Sequence, residues 1–155
     1  MANLIAFLAS GFWGYVADVL GRRWAMIIPA AIGILVTPFY LLFDSYPMVA
    51  GAFILQGAFL GAIYGQNPAY LSERFPTEVR ATASAFCYHQ GAIWAGFTGP
   101  VLTYFAASQP AGFTIPMLVT TTGAAIVFVV TLLYSPETKG KELVPEITLR
   151  EQPAE

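Results

Sequence analysis

Five long apolar runs, separated by short polar segments, make up most of the chain. The runs cover residues 1–17, 24–43, 48–70, 83–106 and 113–134. A helix of about 20 apolar residues crosses a bilayer core of roughly 30 Å, and four of the runs reach that length while the first is slightly short. The pattern predicts an all-α bundle of about five transmembrane helices over residues 1–134, followed by a cytoplasmic tail, residues 135–155.

The same pattern argues against a soluble domain and against a β-barrel. A soluble helix keeps a polar face for water, and these near-continuous runs have none. Barrel strands alternate apolar and polar positions with period two, which this chain does not do. Only 10% of the residues are charged, whereas about a quarter are charged in an ordinary soluble domain. We therefore predict the lipid bilayer as the partner of these helices.

The few charged residues predict an orientation. All seven basic residues fall on one side of an alternating topology, and only Asp44 falls on the other. The basic residues are Arg22, Arg23, Arg74, Arg80, Lys139, Lys141 and Arg150. Basic loops stay in the cytoplasm, so we predict a multi-pass protein of the inner or plasma membrane with a cytoplasmic C-terminus. Residue 1 then lies outside, which favours the C-terminal piece of a longer protein, although a complete five-span protein stays open.

The sequence offers little for catalysis or for a cofactor. It has one histidine and one cysteine, Cys87, and no HExxH, GxxxxGK[ST] or Ser/His/Asp arrangement. A net charge of −2 argues against a nucleic-acid partner, which would need a basic face. We predict a protein that is not an enzyme, with no catalytic residue, metal site, cofactor or nucleic-acid partner.

Three polar segments carry a family resemblance. The segment "GYVADVLGRR", residues 14–23, resembles the G-x-x-x-D-x-x-G-R-R loop of the major facilitator superfamily. The segment "SERFPTEVRATA", which begins at Ser72, is similar to that superfamily's E-x-x-P-x-x-x-R loop before the penultimate helix. The segment "SPETKGKEL", which begins at Ser135, is similar to the P-E-T-K-G tail of sugar porters and their relatives. All three segments fall on the predicted cytoplasmic side, in the order of that superfamily.

The resemblance implies helices eight to twelve of a twelve-helix transporter, which is half of a major-facilitator fold without helix seven. The N-terminal half of the same transporter is then the partner. The stretches "YLSERFPTEVRATASAFCYHQGA" and "GFTIPML" most resemble proton-coupled carboxylate symporters of the sialate and lactate type, or metabolite–proton symporters. They imply proton-driven symport of a small organic acid, such as a monocarboxylate, by alternating access. A sugar-porter-like facilitator and an inactive truncated fragment are the alternatives.

The resemblance also implies a network of charges at the cytoplasmic face that holds the two halves together. Its members are Asp18, Arg22, Arg23, Glu73, Arg80 and Glu137. Arginine suits such a network because its planar guanidinium binds carboxylates through two parallel hydrogen bonds. The alternative is a set of solvated loop charges, since an exposed ion pair contributes only about 0–1 kcal/mol.

Polar side chains inside the runs are candidates for a substrate or proton pathway. They are Gln56, Tyr64, Asn67, His89 and Gln90. Gln56 and Asn67 are about 20° apart on a helical wheel and so share a face. Histidine titrates near pH 6.5 and can carry protons, but His89 has an equally open alternative as a hydrogen-bonded packing residue. A further candidate feature is the spacing of Gly57, Gly61 and Gly65, which predicts a smooth face for close helix packing.

Overall fold

The computed structural model describes residues 2–43, 45–110 and 112–140, without the side chains of residues 2 and 62. It contains five helices: α1 (Ala2–Leu20), α2 (Arg22–Leu41), α3 (Tyr46–Ser72), α4 (Arg80–Ala107) and α5 (Thr114–Tyr134). The predicted all-α fold is therefore confirmed, and each apolar run forms one helix. Asp44, Lys141 and Arg150, which entered the predicted orientation, lie outside the described residues, as does the tail from 141 onward.

Four of the helices, α1, α2, α3 and α5, are long and apolar enough to cross a membrane. The helix formed by the fourth run, α4, is not among them, although it is 28 residues long. Its sequence explains the difference, because Arg80, His89, Gln90 and several Ser, Thr and Gly residues lower its mean hydropathy. The structure thus gives five helices with four candidate spans.

The helix α3 forms the centre of the bundle because its small residues let other helices come close. It packs mainly against α1 and α2, and α2 also packs against α5. A Cβ atom built on Gly61 would lie 2.4 Å from the Cβ of Ala6, and one on Gly65 would lie 3.1 Å from the Cβ of Ser10. On α2, a Cβ at Gly33 would meet the side chain of Leu60 at 2.5 Å. Such contacts leave no room for a larger residue.

Two small clusters of buried apolar residues link these helices. Trp13 and Ala17 of α1 pack with Ala25 of α2, and the Trp13 indole N–H donates to the Ala58 carbonyl of α3 at 3.1 Å. The second cluster contains Met26, Ile27, Tyr70 and Leu132, and it joins α2, α3 and α5. Both clusters include residues near the turn between α1 and α2, so the bundle is fixed most firmly there.

The helix α4 lies at the edge of the bundle. Its packing against α3 and α5 is sparser than that of α3 against α1 and α2 or of α2 against α5. Large side chains along α4 are exposed, and Trp94 and Tyr104 are each 75% exposed. Nothing lies within 4 Å of a Cβ built on Gly91, Gly96 or Gly99. Glycines on α4 therefore have no close neighbour among the described residues, unlike Gly61 and Gly65 on α3.

Candidate functional site

The chain reverses between successive helices, so the α1–α2 turn, the α3–α4 loop and the segment after α5 meet at one end. We call this the charged end, residues 18–23, 72–80 and 135–140. Its central contact is the carboxylate of Glu137 on the first turn of α2. The Arg22 N–H donates to Glu137 Oε1 at 2.9 Å, and the Arg23 N–H donates to Oε2 at 3.2 Å. These backbone donors have no partner within the helix, so Glu137 caps α2 from a distant part of the chain.

Gly21 makes this cap possible. It precedes α2 with a φ of 109°, a conformation that suits glycine and strains other residues. A Cβ atom at this position would lie 2.5 Å from Glu137 Oε2. The capping residue of α2 has no side chain of its own, and the carboxylate of Glu137 occupies the space that a side chain would take.

The protonation of Glu137 reflects these bonds. Burial raises the pKa of its carboxyl group, but the backbone N–H groups of Lys139, Arg23, Thr138 and Arg22 lower it by more, so the pKa lies below its ordinary value. Hydrogen bonds to the ionised form favour that form, and the N-terminus of α2 adds a favourable dipole. Glu137 is therefore ionised at neutral pH.

Arg22 connects the two other carboxylates of the predicted network. Its Nη1 atom lies 2.8 Å from Asp18 Oδ1, and its Nε atom lies 3.1 Å from Glu73 Oε1. The side chains of Arg22 and Glu73 are each 22% exposed, whereas that of Asp18 is 65% exposed. Arg22 therefore joins the ends of α1, α2 and α3, and Asp18 is the member that faces outward.

The segment after α5 adds contacts that sequence reasoning missed. The Thr138 hydroxyl donates to Glu73 Oε2 through a short hydrogen bond, and the Lys139 ammonium donates to the Val19 carbonyl near the end of α1. The Tyr70 hydroxyl donates to the Pro136 carbonyl at 2.9 Å. Thr138 and Lys139 belong to the "SPETKG" stretch that carries the family resemblance. The resemblance implied a role in the charge network only for the glutamate of that stretch, Glu137.

Two of the predicted arginines take other partners. Arg23 donates from Nη1 to the Ser135 carbonyl at 3.1 Å, and Arg80 donates from Nε to the Phe75 carbonyl at 3.2 Å. Within the described residues, neither forms an ion pair with Asp18, Glu73 or Glu137. Arg23 Nε and Arg80 Nη2 are buried and have no hydrogen-bond partner in the part of the chain that the structure describes. The structure thus brings together four of the six predicted residues, namely Asp18, Arg22, Glu73 and Glu137. Arg23 contacts Glu137 through its backbone N–H and not through its side chain.

A cleft of about 750 Å³ runs between α1 and α3. We call it the α1–α3 cleft. Gln56 and Tyr64 line it, as do the three glycines Gly57, Gly61 and Gly65. The Gln56 amide donates from Nε2 to the hydroxyl of Tyr40 at 2.9 Å. Two of the predicted pathway residues therefore share one open cleft, and the glycines form its α3 wall.

A second cleft, of about 680 Å³, lies between α3, α4 and α5, and we call it the three-helix cleft. Asn67 and His89 line it together with Tyr64, which lines both clefts. Gln56 lines the α1–α3 cleft and Asn67 lines the three-helix cleft, although an ideal helical wheel places them only about 20° apart. Gln90 lines neither of the two clefts and is exposed.

Arg74 also lines the three-helix cleft and lies over the Tyr70 ring, 5.1 Å from its centroid. Its guanidinium gives this cleft a cationic group near the charged end. The two clefts therefore differ in charge, because the residues that line the α1–α3 cleft are all uncharged.

Comparison with known proteins gives a consistent result. The family model described as Major Facilitator Superfamily matches residues 1–153. The inner membrane metabolite transport protein YhjE of Escherichia coli is 37% identical over 93 residues, which are 57% of this chain and 21% of that protein. No solved structure matches the chain.

Two further relatives carry names that specify a transported compound. The cis,cis-muconate transport protein of Acinetobacter baylyi is 28% identical over 99 residues, 64% of this chain and 24% of that protein. Myo-inositol transporter 2 of Cryptococcus neoformans is 34% identical over 108 residues, 62% of this chain and 19% of that protein. The chain matches about a fifth to a quarter of the length of these relatives.

Proposed function

Because the chain belongs to the major facilitator superfamily, we propose that it forms part of a secondary transporter that moves a small organic acid together with protons by alternating access. The family consists of transporters and not of enzymes, and the chain is a multi-pass membrane protein. The family match over residues 1–153 is the observation that carries the proposal.

The relative named for transport of muconate, an organic acid anion, supports an acid as substrate. The three-helix cleft agrees with this choice, since Arg74 supplies a positive charge and His89 a group that can accept a proton. We propose a small organic acid, such as a monocarboxylate, as the substrate and His89 as the proton carrier. The second candidate is a sugar-porter-like facilitator, which the relative named for myo-inositol favours.

We place the protein in the inner or plasma membrane with the charged end in the cytoplasm. The basic side chains of the described residues all lie at this end, and basic loops remain on the cytoplasmic side. YhjE, named as an inner membrane protein, supports the same location. In this arrangement α4 is a fifth span, with residues 135–155 as a cytoplasmic tail, and the partner is the other half of the transporter.

The charged end acts in this proposal as the cytoplasmic gate. Arg22, Glu73 and Glu137 hold the helix ends of this chain together, so the end moves as one unit. Asp18 faces outward and is available to the partner half. The alternative is that Asp18 is a solvated loop charge that takes no part in gating.

Uptake by the full-length protein in liposomes tests the proposal. An inward proton gradient should drive accumulation of labelled organic acids, and removal of the gradient should leave only equilibration. Equilibration of labelled sugars without accumulation, with or without the gradient, would instead support the facilitator. The 155-residue chain reconstituted by itself is the control, because transport by it alone would contradict the need for a partner half.

A further inference from the structure

The three-helix cleft opens at the charged end, and an arginine lies at this opening. Arg74, in the loop between α3 and α4, is exposed and lines the cleft there. The lining residue of α4 farthest from Arg80 is Ala95, about 22 Å into the helix at 1.5 Å per residue. The residues that line the cleft, all of them described by the structure, include no aspartate, glutamate or lysine. Arg74 is therefore the permanent charge that an anion meets in this cleft.

A buried tyrosine holds the guanidinium of Arg74 in place. Arg74 Cζ lies 5.1 Å from the centroid of the Tyr70 ring, within the range in which a ring face attracts a cation. Tyr70 is itself buried, and its hydroxyl bonds to the Pro136 carbonyl, which fixes the ring. The ring contact occupies no N–H group, so the planar guanidinium keeps the two-pronged geometry that fits a carboxylate.

The carboxylate next to Arg74 in the chain is engaged elsewhere. Glu73 accepts from Arg22 Nε through Oε1 and from the Thr138 hydroxyl through Oε2. In the described part of the chain, the ion pairs join Arg22 to Asp18 and to Glu73, and none includes Arg74. An arginine that lines a cleft and has no ion pair of its own there is suited to an anion that comes from outside.

We propose that Arg74 forms an anion site at the opening of the three-helix cleft, which holds the carboxylate of the transported acid as it enters from, or leaves toward, the charged end. Tyr70 is a positioning residue that keeps the guanidinium at this opening. The inference deepens the proposed function and rests on it, because it names the group that recognises the charge of the acid.

The single cysteine of the chain allows a test that does not need transport. Cys87 is exposed and lines the same cleft. In a full-length protein whose only cysteine is Cys87, we compare the reaction rates of an anionic and a cationic methanethiosulfonate reagent of similar size. Arg74 attracts the anionic reagent, so Arg74→Gln should lower the anionic-to-cationic rate ratio about two- to fivefold, and Arg74→Lys should keep it. An unchanged ratio in Arg74→Gln would overturn the anion site.

A matched control separates a local site from the charge of the whole protein. Lys141→Gln also removes one positive charge and should leave the rate ratio at the wild-type value. A fall as large as that of Arg74→Gln would assign the effect to net charge and contradict the site.

Competition identifies the occupant of the site. Sodium lactate or sodium succinate, compared with sodium chloride at equal ionic strength, should slow the anionic reagent in the wild type and not in Arg74→Gln. Micelles that contain phosphatidylglycerol test a lipid phosphate as the occupant. No slowing by either carboxylate would overturn the assignment to the substrate, whether or not the lipid slows the reagent.

Uptake links the site to transport. In membrane vesicles with the charged end outward, Arg74→Gln should raise the KM for labelled lactate or succinate about three- to tenfold. Tyr70→Phe keeps the ring and loses the bond to Pro136, and it should raise the KM by a smaller factor. Salt screens charge pairs, so the KM of the wild type should rise with ionic strength and that of Arg74→Gln should not, whereas a structural defect would leave this dependence in place.

The two readouts fail separately. If no acid is taken up but the labelling and competition results hold, the proposed transport function fails and the anion site stands. If uptake occurs and Arg74→Gln has the KM and the salt dependence of the wild type, the inference is overturned and the transport function stands.

Discussion

The charged end and the helix α4 are the most and the least connected regions of the chain. At the charged end, Glu137, Arg22 and Thr138 join four helix ends through side-chain and backbone hydrogen bonds. Along α4, the side-chain hydroxyls of Thr98, Thr103 and Ser108 donate to carbonyls of α4 itself. One region is fixed by bonds between distant parts of the sequence, and the other by its own helix.

Glycine shows what the difference means. Gly61 and Gly65 on α3 lie against Ala6 and Ser10, whereas Gly91 has open space around it. The same residue type thus serves close packing in one helix and has no close neighbour in the other. Small residues permit a close approach, but only the surroundings decide whether one occurs. The predictions below test the two regions against each other.

The largest expected effect is functional and falls on α4. If His89 carries protons, His89→Gln in the full-length protein should abolish pH-driven accumulation of substrate and leave counterflow exchange intact, because glutamine keeps hydrogen bonding but does not titrate. Accumulation and counterflow in liposomes measure this. Thr98→Val is the control on the same helix, since the Thr98 hydroxyl donates to the Trp94 carbonyl of that helix. Unchanged accumulation would mean that His89 is a packing residue and does not carry protons.

The next effect is structural and falls on the charged end. Gly21→Ala forces alanine into a positive φ and places its Cβ against the Glu137 carboxylate. Strain and a weakened cap should together lower the free energy of unfolding by about 3 kcal/mol, measured by SDS titration in mixed micelles. Gly99→Ala on α4, with nothing within 4 Å, should show no loss. Similar losses in the two variants would remove the contrast between the regions.

A smaller loss is expected within the bundle. Gly61→Ala places a Cβ 2.4 Å from that of Ala6, and relief of this overlap should cost about 1–3 kcal/mol. The same titration measures it, with Gly91→Ala as the matched control on α4. If both variants unfold like the wild type, α1 and α3 separate more easily than the packing indicates.

The smallest effect concerns acid. The pKa of Glu137 is lower in the folded protein than its ordinary 4.5, so its contribution to stability is complete above that value and is lost as the pH falls through the folded pKa. Glu137→Gln should lower the unfolding free energy at pH 7 by under about 1 kcal/mol, because the group is half-exposed. The melting temperature of the variant should then approach that of the wild type as the pH falls through the folded pKa of Glu137. A difference that grows at low pH would contradict this sign.

The helices were predictable because lipid-facing runs are continuous and charges mark their ends. The contact between Arg22 and Glu73 was also within reach, since the family resemblance grouped both. Sequence could not show that Glu137 caps α2, because the two parts of the cap are more than a hundred residues apart in the chain. Nor could a helical wheel reveal that Gln56 and Asn67 line different clefts, because a wheel does not show which helices pack beside each residue.

The distant cap has a consequence for the timing of synthesis. Arg22 emerges from the ribosome 115 residues before Glu137, an interval of about ten seconds at usual elongation rates. During that interval α1 and α2 are inserted while the first turn of α2 lacks its carboxylate, and the segment after α5 completes that turn only later. We therefore expect a released chain that ends at Tyr134 to be cleaved by added protease between α1 and α2, and a released chain that ends at Gly140 to resist. Equal cleavage of both would mean that the α1–α2 hairpin matures without its cap.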